Sequence, residues 1–273
     1  MAIRQEDFPA VRACIFDMDG LLINSEDIIT NSINLVLQKY GRPAITGSIR
    51  ARIMGVPDST NNDIFHNWAQ LSITREKFAN EYKGELHRNL PNCKPMPGSE
   101  TLLSALSHAR NINGEPILLG LASSTKTESY SLKVTQPETK QLLDLIHPDR
   151  RILGGDSRLR HGRGKPAPDS YLLALQELNS ASQNPIMPNE CLVFEDSVTG
   201  VEAGRRAGMR VVWVPHPDVA VEYESRKKDV LAGRCRTSDL GDEWQLGEVD
   251  DGWAECISSL EAFDYEKYGI HTT

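Results

Sequence analysis

Two aspartates one residue apart, Asp17 and Asp19, follow a short apolar run at residues 11–16 and precede Gly20. Carboxylates this close repel each other unless a cation or a proton comes between them, so burying the pair is costly. The chemistry such a pair could do is metal binding, acid–base work, or both. A solvated turn is the plain alternative, because Asp and Gly are common turn residues. Three further groups stand in comparable places. Ser123 and Ser124 end an apolar run at 117–122, Lys165 lies in a Gly- and Pro-containing basic loop at 158–168, and Glu195 and Asp196 end a run at 191–194. Alone, each has an ordinary reading: hydroxyls that cap a helix, a solvated cation, acidic residues that suit the start of a helix.

The elements that would carry these groups decide between the readings. The runs at 11–16, 117–122, 191–194 and 211–214 are apolar and too short for helices, so they read as buried strands, with a shorter one at 151–153. Helical spacing appears between them. Asn24, Ser25 and Glu26 can cap a helix carrying Ile29, Ile33, Val36, Leu37 and Tyr40, with Gly41 as its terminator. Ser99 and Asp169 can cap two others, residues 139–146 form a fourth, and a small-residue helix around Val201 to Ala207 stops at Gly208. Residues 26–93 read as helical throughout, a unit inserted after the first strand, and a turn-rich segment (Pro91, Pro95, Pro97, Gly98) leads back. The core is then 10–25 and 94–273. Strands alternating with helices imply a parallel sheet covered on both faces, in which ligands bind beyond the carboxyl ends of the strands. All four polar groups come to that one edge.

Together they meet the needs of phosphoryl transfer. A carboxylate beside a bound cation can attack phosphorus, Mg²⁺ takes a few carboxylates and a phosphate oxygen, and hydroxyls, backbone N–H groups and a lysine can hold the remaining oxygens. These local positive elements matter because the chain of 273 residues carries a net charge of −8. That balance argues against a nucleic-acid or anionic-membrane surface, both of which are met by basic patches. Apolar content of 39% beside 25% charged residues fits a globular protein with a sizeable core. The first ten residues do not resemble a secretory signal, and no stretch is long and apolar enough to span a bilayer. Five scattered cysteines without a C-x-x-C pair suit a reduced, cytoplasmic setting. Residues 231–252 are acidic and read as a surface loop before a last element at 256–263.

The residues match a known pattern. Phe-Asp17-Met-Asp19-Gly-Leu, Leu-Ala-Ser123-Ser124, Gly-Lys165-Pro-Ala-Pro-Asp and Val-Phe-Glu195-Asp196-Ser, in this order, resemble the four motifs of the haloacid dehalogenase superfamily of phosphohydrolases. The resemblance covers nearly the whole chain. It implies a Rossmann-like α/β core, a doubly wound parallel sheet, with an inserted all-helical cap at 26–93. It also implies a Mg²⁺-dependent phosphatase acting on a small phosphorylated metabolite. By the same resemblance Asp17 is the nucleophile and Asp19 the general acid and then base. Ser123, the backbone around Ser124, and Lys165 bind phosphate, and Mg²⁺ is held by Asp17, the Asp19 carbonyl and Asp196, with Glu195 nearby or coordinating. Within the superfamily the chain looks most like eukaryotic pseudouridine-5′-phosphatases, from Ile53-Met54-Gly55, Met96-Pro-Gly, Cys191-Leu-Val-Phe-Glu-Asp and the closing Ser259-Leu-Glu-Ala-Phe pattern. Sugar-phosphate mutases of the β-phosphoglucomutase type share these motifs but carry a histidine three residues after the cap-helix glutamate, where Ile29 follows Glu26 here. A phospho-accepting signalling receiver places its aspartate on the third strand, and a non-catalytic relative would lack a motif residue. Two departures stand out: an extra Arg163-Gly164 before Lys165, and the acidic segment 231–252.

Overall fold

A computed structural model describes residues 8–54, 58–180, 184–235 and 246–272. Strand β1 (Ala13–Phe16) is wholly buried, as a central strand covered on both faces must be. Four helices follow it: α1 (Glu26–Lys39), α2 (Gly47–Ile53), α3 (Asp58–Ala69) and α4 (Arg75–Asn89). The α1 helix buries Ile33, Val36 and Leu37 against Phe65, Ala69 and Phe78, a cluster separate from the core around the sheet. It ends at Tyr40, and Gly41 follows at φ +64°, the left-handed position that glycine takes past a helix end. Thr46 and Thr74 cap α2 and α4 by accepting hydrogen bonds from the backbone N–H groups of Ile49 and Lys77.

The chain returns through a 3₁₀ turn at Leu90–Asn92 into α5 (Ser99–His108), β2 (Arg110–Asn111), β3 (Leu118–Ala122), α6 (Thr127–Lys133), α7 (Pro137–Asp144) and β4 (Arg151–Ile152). After the basic loop come α8 (Asp169–Asn179), β5 (Cys191–Glu195), α9 (Val198–Arg206), β6 (Arg210–Trp213), α10 (Pro217–Tyr223), α11 (Lys227–Leu231), β7 (Ala254–Cys256) and β8 (Ile270–His271). Six strands form one sheet in the order β4-β3-β1-β5-β6-β7, every pairing parallel, while β2 and β8 pair separately and antiparallel. Successive side chains of a strand point to opposite faces, and the core divides accordingly. Cys14, Phe16, Leu192 and Phe194 face α5 and α7 through Leu102, Leu106, Leu142 and Leu143. Ala13, Ile15, Cys191 and Val193 face α8 and α9 through Tyr171, Ala174, Val201 and Ala203. The fold is therefore the α/β doubly wound parallel sheet with a helical insertion.

Local starts and stops differ from the sequence reading in places. Ser99 does not cap α5: Gly98 takes the capping position at φ +80°, and the Ser99 hydroxyl donates to the Met96 carbonyl at 2.7 Å. Pro168 holds that position for α8, and the Asp169 carboxylate pairs with Arg163 at 2.9 Å instead. The stretch expected at 256–263 begins as β7 and ends in a 3₁₀ turn at Leu260–Ala262. Helices α6, α10 and α11 were not anticipated. Within the acidic segment Asp239, Asp242 and Glu243 lie outside the described residues, as does Gly55, whereas Glu248, Asp250 and Asp251 pair with Arg234, Lys228 and Arg205. All five cysteines are free thiols. No helix among the described residues is long and apolar enough to cross a membrane.

Because β1 sits between β3 and β5, with Phe16 level with Leu121 and Phe194, the loops that follow these three strands open side by side. Phe194, 0% exposed, stacks on Phe16 at 4.7 Å and meets the edge of Phe263 at 5.0 Å. Truncating it leaves a cavity at the centre of the sheet, so Phe194→Ala should lower the unfolding free energy by about 3–5 kcal/mol in a denaturant titration. A loss under about 1 kcal/mol would mean that the core closes over the gap.

Candidate active site

The backbone N–H of Asp17 donates to the Phe194 carbonyl at 3.0 Å, which extends β1 by one residue and fixes where the Asp17 carboxylate emerges. Lys165 reaches it from the loop before α8. Its ammonium donates to Asp17 Oδ1 at 2.5 Å and to Glu195 Oε1 at 2.6 Å. The extra Arg163-Gly164 does not keep Lys165 from the site, since the Arg163–Asp169 pair pins the loop just ahead of it.

Glu195 is 0% exposed and its two oxygens are already engaged. Oε1 also accepts from the Tyr171 hydroxyl at 2.6 Å, and Oε2 accepts from the backbone N–H and the hydroxyl of Ser197 at 3.2 and 3.1 Å. Gly200 leaves it room: a Cβ there would lie 1.8 Å from Glu195 Oε1. Glu195 thus serves as the fixed partner of Lys165.

Asp196 differs. Its carbonyl accepts from the Trp213 indole N–H at 2.9 Å, but its carboxylate, 3% exposed, pairs with no cation among the described residues. Carboxylate oxygens of Asp17, Glu195 and Asp196 lie within 4.8 Å of one another. Burial pushes the Asp17 carboxyl up to about 7 despite Lys165, with the charges of Glu195 and Asp19 adding to it. Burial likewise holds Asp196 well above the usual carboxylate range, reinforced by Asp17, Glu195 and Glu26. Glu26, at the start of α1, is raised to about 7, first by burial and then by Asp19. One lysine thus faces more negative charge than it can balance. All the donors here are hard oxygens, which suits a divalent cation of the Mg²⁺ type. Gly20, at φ +77°, keeps the turn close: a Cβ there would stand 2.3 Å from Asp196 Oδ2.

Asp19 occupies a different environment from Asp17. Its Oδ1 accepts from the Ser25 hydroxyl at 2.5 Å and from the Lys133 ammonium. Its Oδ2 accepts from the Thr125 hydroxyl and, at 3.3 Å, from Ser123 Oγ. Burial would raise this carboxyl, but the charge of Lys133 and the hydrogen bonds of Lys133, Ser25 and Thr125 outweigh it and hold it below the ordinary range. The two aspartates that the sequence pairs are therefore pushed in opposite directions, Asp17 toward its protonated form and Asp19 toward its ionised form.

Of the residues singled out from the sequence, Asp17, Asp19, Ser123, Lys165, Glu195 and Asp196 converge. Ser124 is exposed beside them, and its carbonyl packs against Gly154, where a Cβ would lie 2.1 Å away. Ser123 and Ser124 line a cavity of about 340 Å³ with Arg160, His161 and Gly164. A second cavity, about 500 Å³, lies in the helical unit between Glu26, Arg50, Phe65, Phe78 and Tyr82. Sequence reasoning missed Lys133, Tyr171 and the orienting hydroxyls of Ser25, Thr125 and Ser197. Thr125 and Ser197 each stand within two residues of a motif residue and were legible by position; Lys133 ends α6 and Tyr171 lies in the first turn of α8, with no local signal.

The haloacid dehalogenase-like hydrolase family matches residues 14–214. A probable pseudouridine-5′-phosphatase of Saccharomyces cerevisiae is 34% identical over 261 residues, covering 96% of this chain and 98% of that one. A (DL)-glycerol-3-phosphatase of Arabidopsis thaliana is 30% identical, covering 87% and 92%. A solved haloacid dehalogenase family hydrolase of Deinococcus radiodurans, with phosphate and sodium bound, superposes with a TM-score of 0.59 at 25% identity over 82% of this chain and 96% of that one. With the family matched across most of its length and phosphatases among its relatives, the chain belongs to the haloacid dehalogenase-like hydrolases and is a phosphoric monoester hydrolase.

Proposed function

We propose that this enzyme hydrolyses a small phosphomonoester with Mg²⁺ through an aspartyl phosphate on Asp17. The observation that carries the proposal is the buried Asp17–Lys165–Glu195 triangle beside Asp196, whose carboxylate has no cation partner among the described residues. Asp17 attacks phosphorus, forming an O–P bond as the ester P–O bond breaks. Asp19, which takes up a proton as the negative charge of the substrate phosphate enters beside it, gives that proton to the departing alcohol oxygen. Water then attacks phosphorus of the acyl phosphate, Asp19 takes its proton, and phosphate leaves with Asp17 regenerated. Ser123, the backbone N–H at Ser124 and Lys165 hold the phosphoryl oxygens, and Glu195, anchored by Tyr171 and Ser197, keeps Lys165 in reach of them. Asp17, the Asp19 carbonyl and Asp196 would hold Mg²⁺, which supplies positive charge against the accumulating negative oxygens.

The substrate is a sugar phosphate or nucleotide-like phosphomonoester, and pseudouridine 5′-phosphate is the candidate favoured by the yeast relative. A cap cavity of about 500 Å³ with Phe65, Phe78 and Tyr82 on its wall supports an alcohol of that size. Ile29 lines the same cavity. An apolar side chain there offers no proton carrier for a second hydroxyl, which favours hydrolysis over a mutase reaction. The free thiols accord with a cytoplasmic setting.

Asp17→Ala and Asp19→Ala should each lower p-nitrophenyl phosphate turnover by roughly a thousandfold or more, and EDTA should abolish it until Mg²⁺ is restored; full activity of the Asp17 variant would end the mechanism. Linkage gives a second expectation. Asp17, raised to about 7 in the folded chain from an ordinary value near 3.8, is protonated below that pH, so a cation must displace a proton to bind. Mg²⁺ should therefore raise the melting temperature more at pH 8 than at pH 6; an equal or reversed shift would exclude Asp17 as a ligand. Across a panel of phosphomonoesters, pseudouridine 5′-phosphate should show the highest kcat/KM, and uniformly low values would reject a dedicated substrate of this kind.

A further inference from the structure

We propose that Lys133 is a positioning residue for Asp19, fixing which of its two carboxylate oxygens handles the proton. The proposal rests on the reading of Asp19 as the proton carrier. Lys133 closes α6, is 4% exposed, and its one ion pair among the described residues is with Asp19 Oδ1. Its ammonium also donates to Thr125 Oγ1 at 2.7 Å. The donors around Asp19 are sorted. Oδ1 is held by Lys133 and by Ser25, which precedes α1 at the entrance to the cap. Oδ2 is held by hydroxyls of the loop after β3, the longer of the two bonds, 3.3 Å, coming from Ser123.

A hydroxyl has one proton to donate. When Ser123 turns that proton to a phosphoryl oxygen, Oδ2 loses its longer hydrogen bond and Oδ1 keeps both of its own. Oδ2, left with Thr125 as its only donor among the described residues, is then the less engaged oxygen beside Ser123, and Lys133 prevents the carboxylate from rotating away. The anchor is itself rigid. Gln136, three residues past α6, donates to the Pro91 carbonyl at 2.8 Å, and Thr139 donates to the Cys93 carbonyl at 2.7 Å, so α6 and α7 are tied to the segment returning from the cap. A purely structural role is the competing explanation, because removing one partner of a buried ion pair is itself destabilising; lost stability lowers turnover of every substrate alike, whereas lost positioning changes the ratio between substrates.

The test compares Lys133→Met, Lys133→Arg and Asp19→Asn with the unaltered enzyme. The measurement is kcat/KM for p-nitrophenyl phosphate and for ribose 5-phosphate. The ratio of the two reports only formation of the aspartyl phosphate, and nitrophenolate leaves without a proton whereas the sugar alkoxide needs one. Asp19→Asn should raise the ratio of nitrophenyl to sugar phosphate by about 10²-fold. Lys133→Met should raise it by about tenfold or more, and Lys133→Arg should recover part of the loss. If Asp19→Asn raises the ratio but Lys133→Met lowers both substrates equally, the positioning role is overturned and the mechanism stands. If Asp19→Asn leaves the ratio unchanged, the proton-carrier reading falls and this inference with it. Should Lys133→Met fail to fold by circular dichroism, Lys133→Arg and Thr125→Val are read in the same way, and an unchanged ratio in both overturns the proposal.

Discussion

Crowding of negative charge at the carboxyl edge of β1 and β5 is the constraint to which much of the surrounding structure answers. Asp17, Glu195 and Asp196 stand within 4.8 Å of one another in a buried setting, and Lys165 touches two of them. Uncompensated charges in a poorly solvated pocket cost several kcal/mol each, so the fold tolerates them only with partners in place. Glu195 has four donors, and Gly200 is bare so that its carboxylate can lie under α9. The Asp196 carboxylate has no cation partner among the described residues. The imbalance that would be a defect in a structural core is what a cation-dependent site requires, and it also lets an acidic protein attract a phosphate locally.

The same constraint explains why Asp17 and Asp19, separated only by Met18 and alike in chemistry, are kept in unlike surroundings. Asp17 shares its lysine with Glu195 and is pushed up by burial. Asp19 turns toward the opposite side, where Lys133 and three hydroxyls surround it. The separation is made by the turn rather than by the strand: β1 ends at Phe16, and in a continuing strand residues 17 and 19 would share one face. The turn at Gly20 then brings Asp196 beside the pair. Above this edge stands the helical unit, which has its own apolar cluster around Phe65 and Phe78 and meets the site through Ser25 and Glu26.

Much of this was readable before any coordinates. Short apolar runs at 11–16, 117–122 and 191–194 specify buried parallel strands because both faces of such a sheet are covered, and the polar residues that end them must then share an edge. The helical spacing of Ile29, Ile33, Val36 and Leu37 gave α1 for a similar reason. What was not readable depended on tertiary context. The sequence of α6, Thr-Glu-Ser-Tyr-Ser-Leu-Lys, has two apolar residues and several with weak helix preference. Packing of Tyr130 and Leu132 on the core settles it, and only that packing brings Lys133 to Asp19. Ser99 and Asp169 look like caps by residue type, but the left-handed Gly98 and the position of Pro168 decide where α5 and α8 begin. Tyr171 reads as an ordinary core residue on the inner face of α8, and its hydroxyl becomes significant only because Glu195 ends beneath it.

The central claim is that Asp17 carries the phosphoryl group between the two halves of the reaction. The direct measurement is to quench the enzyme in acid during turnover of a radiolabelled phosphomonoester and recover the protein. Reduction with borohydride then converts an aspartyl phosphate to homoserine, and peptide mapping locates it. Label on the protein and homoserine at position 17 alone are the expected result. Full turnover with no label at Asp17, or label at Asp19 instead, would contradict the claim.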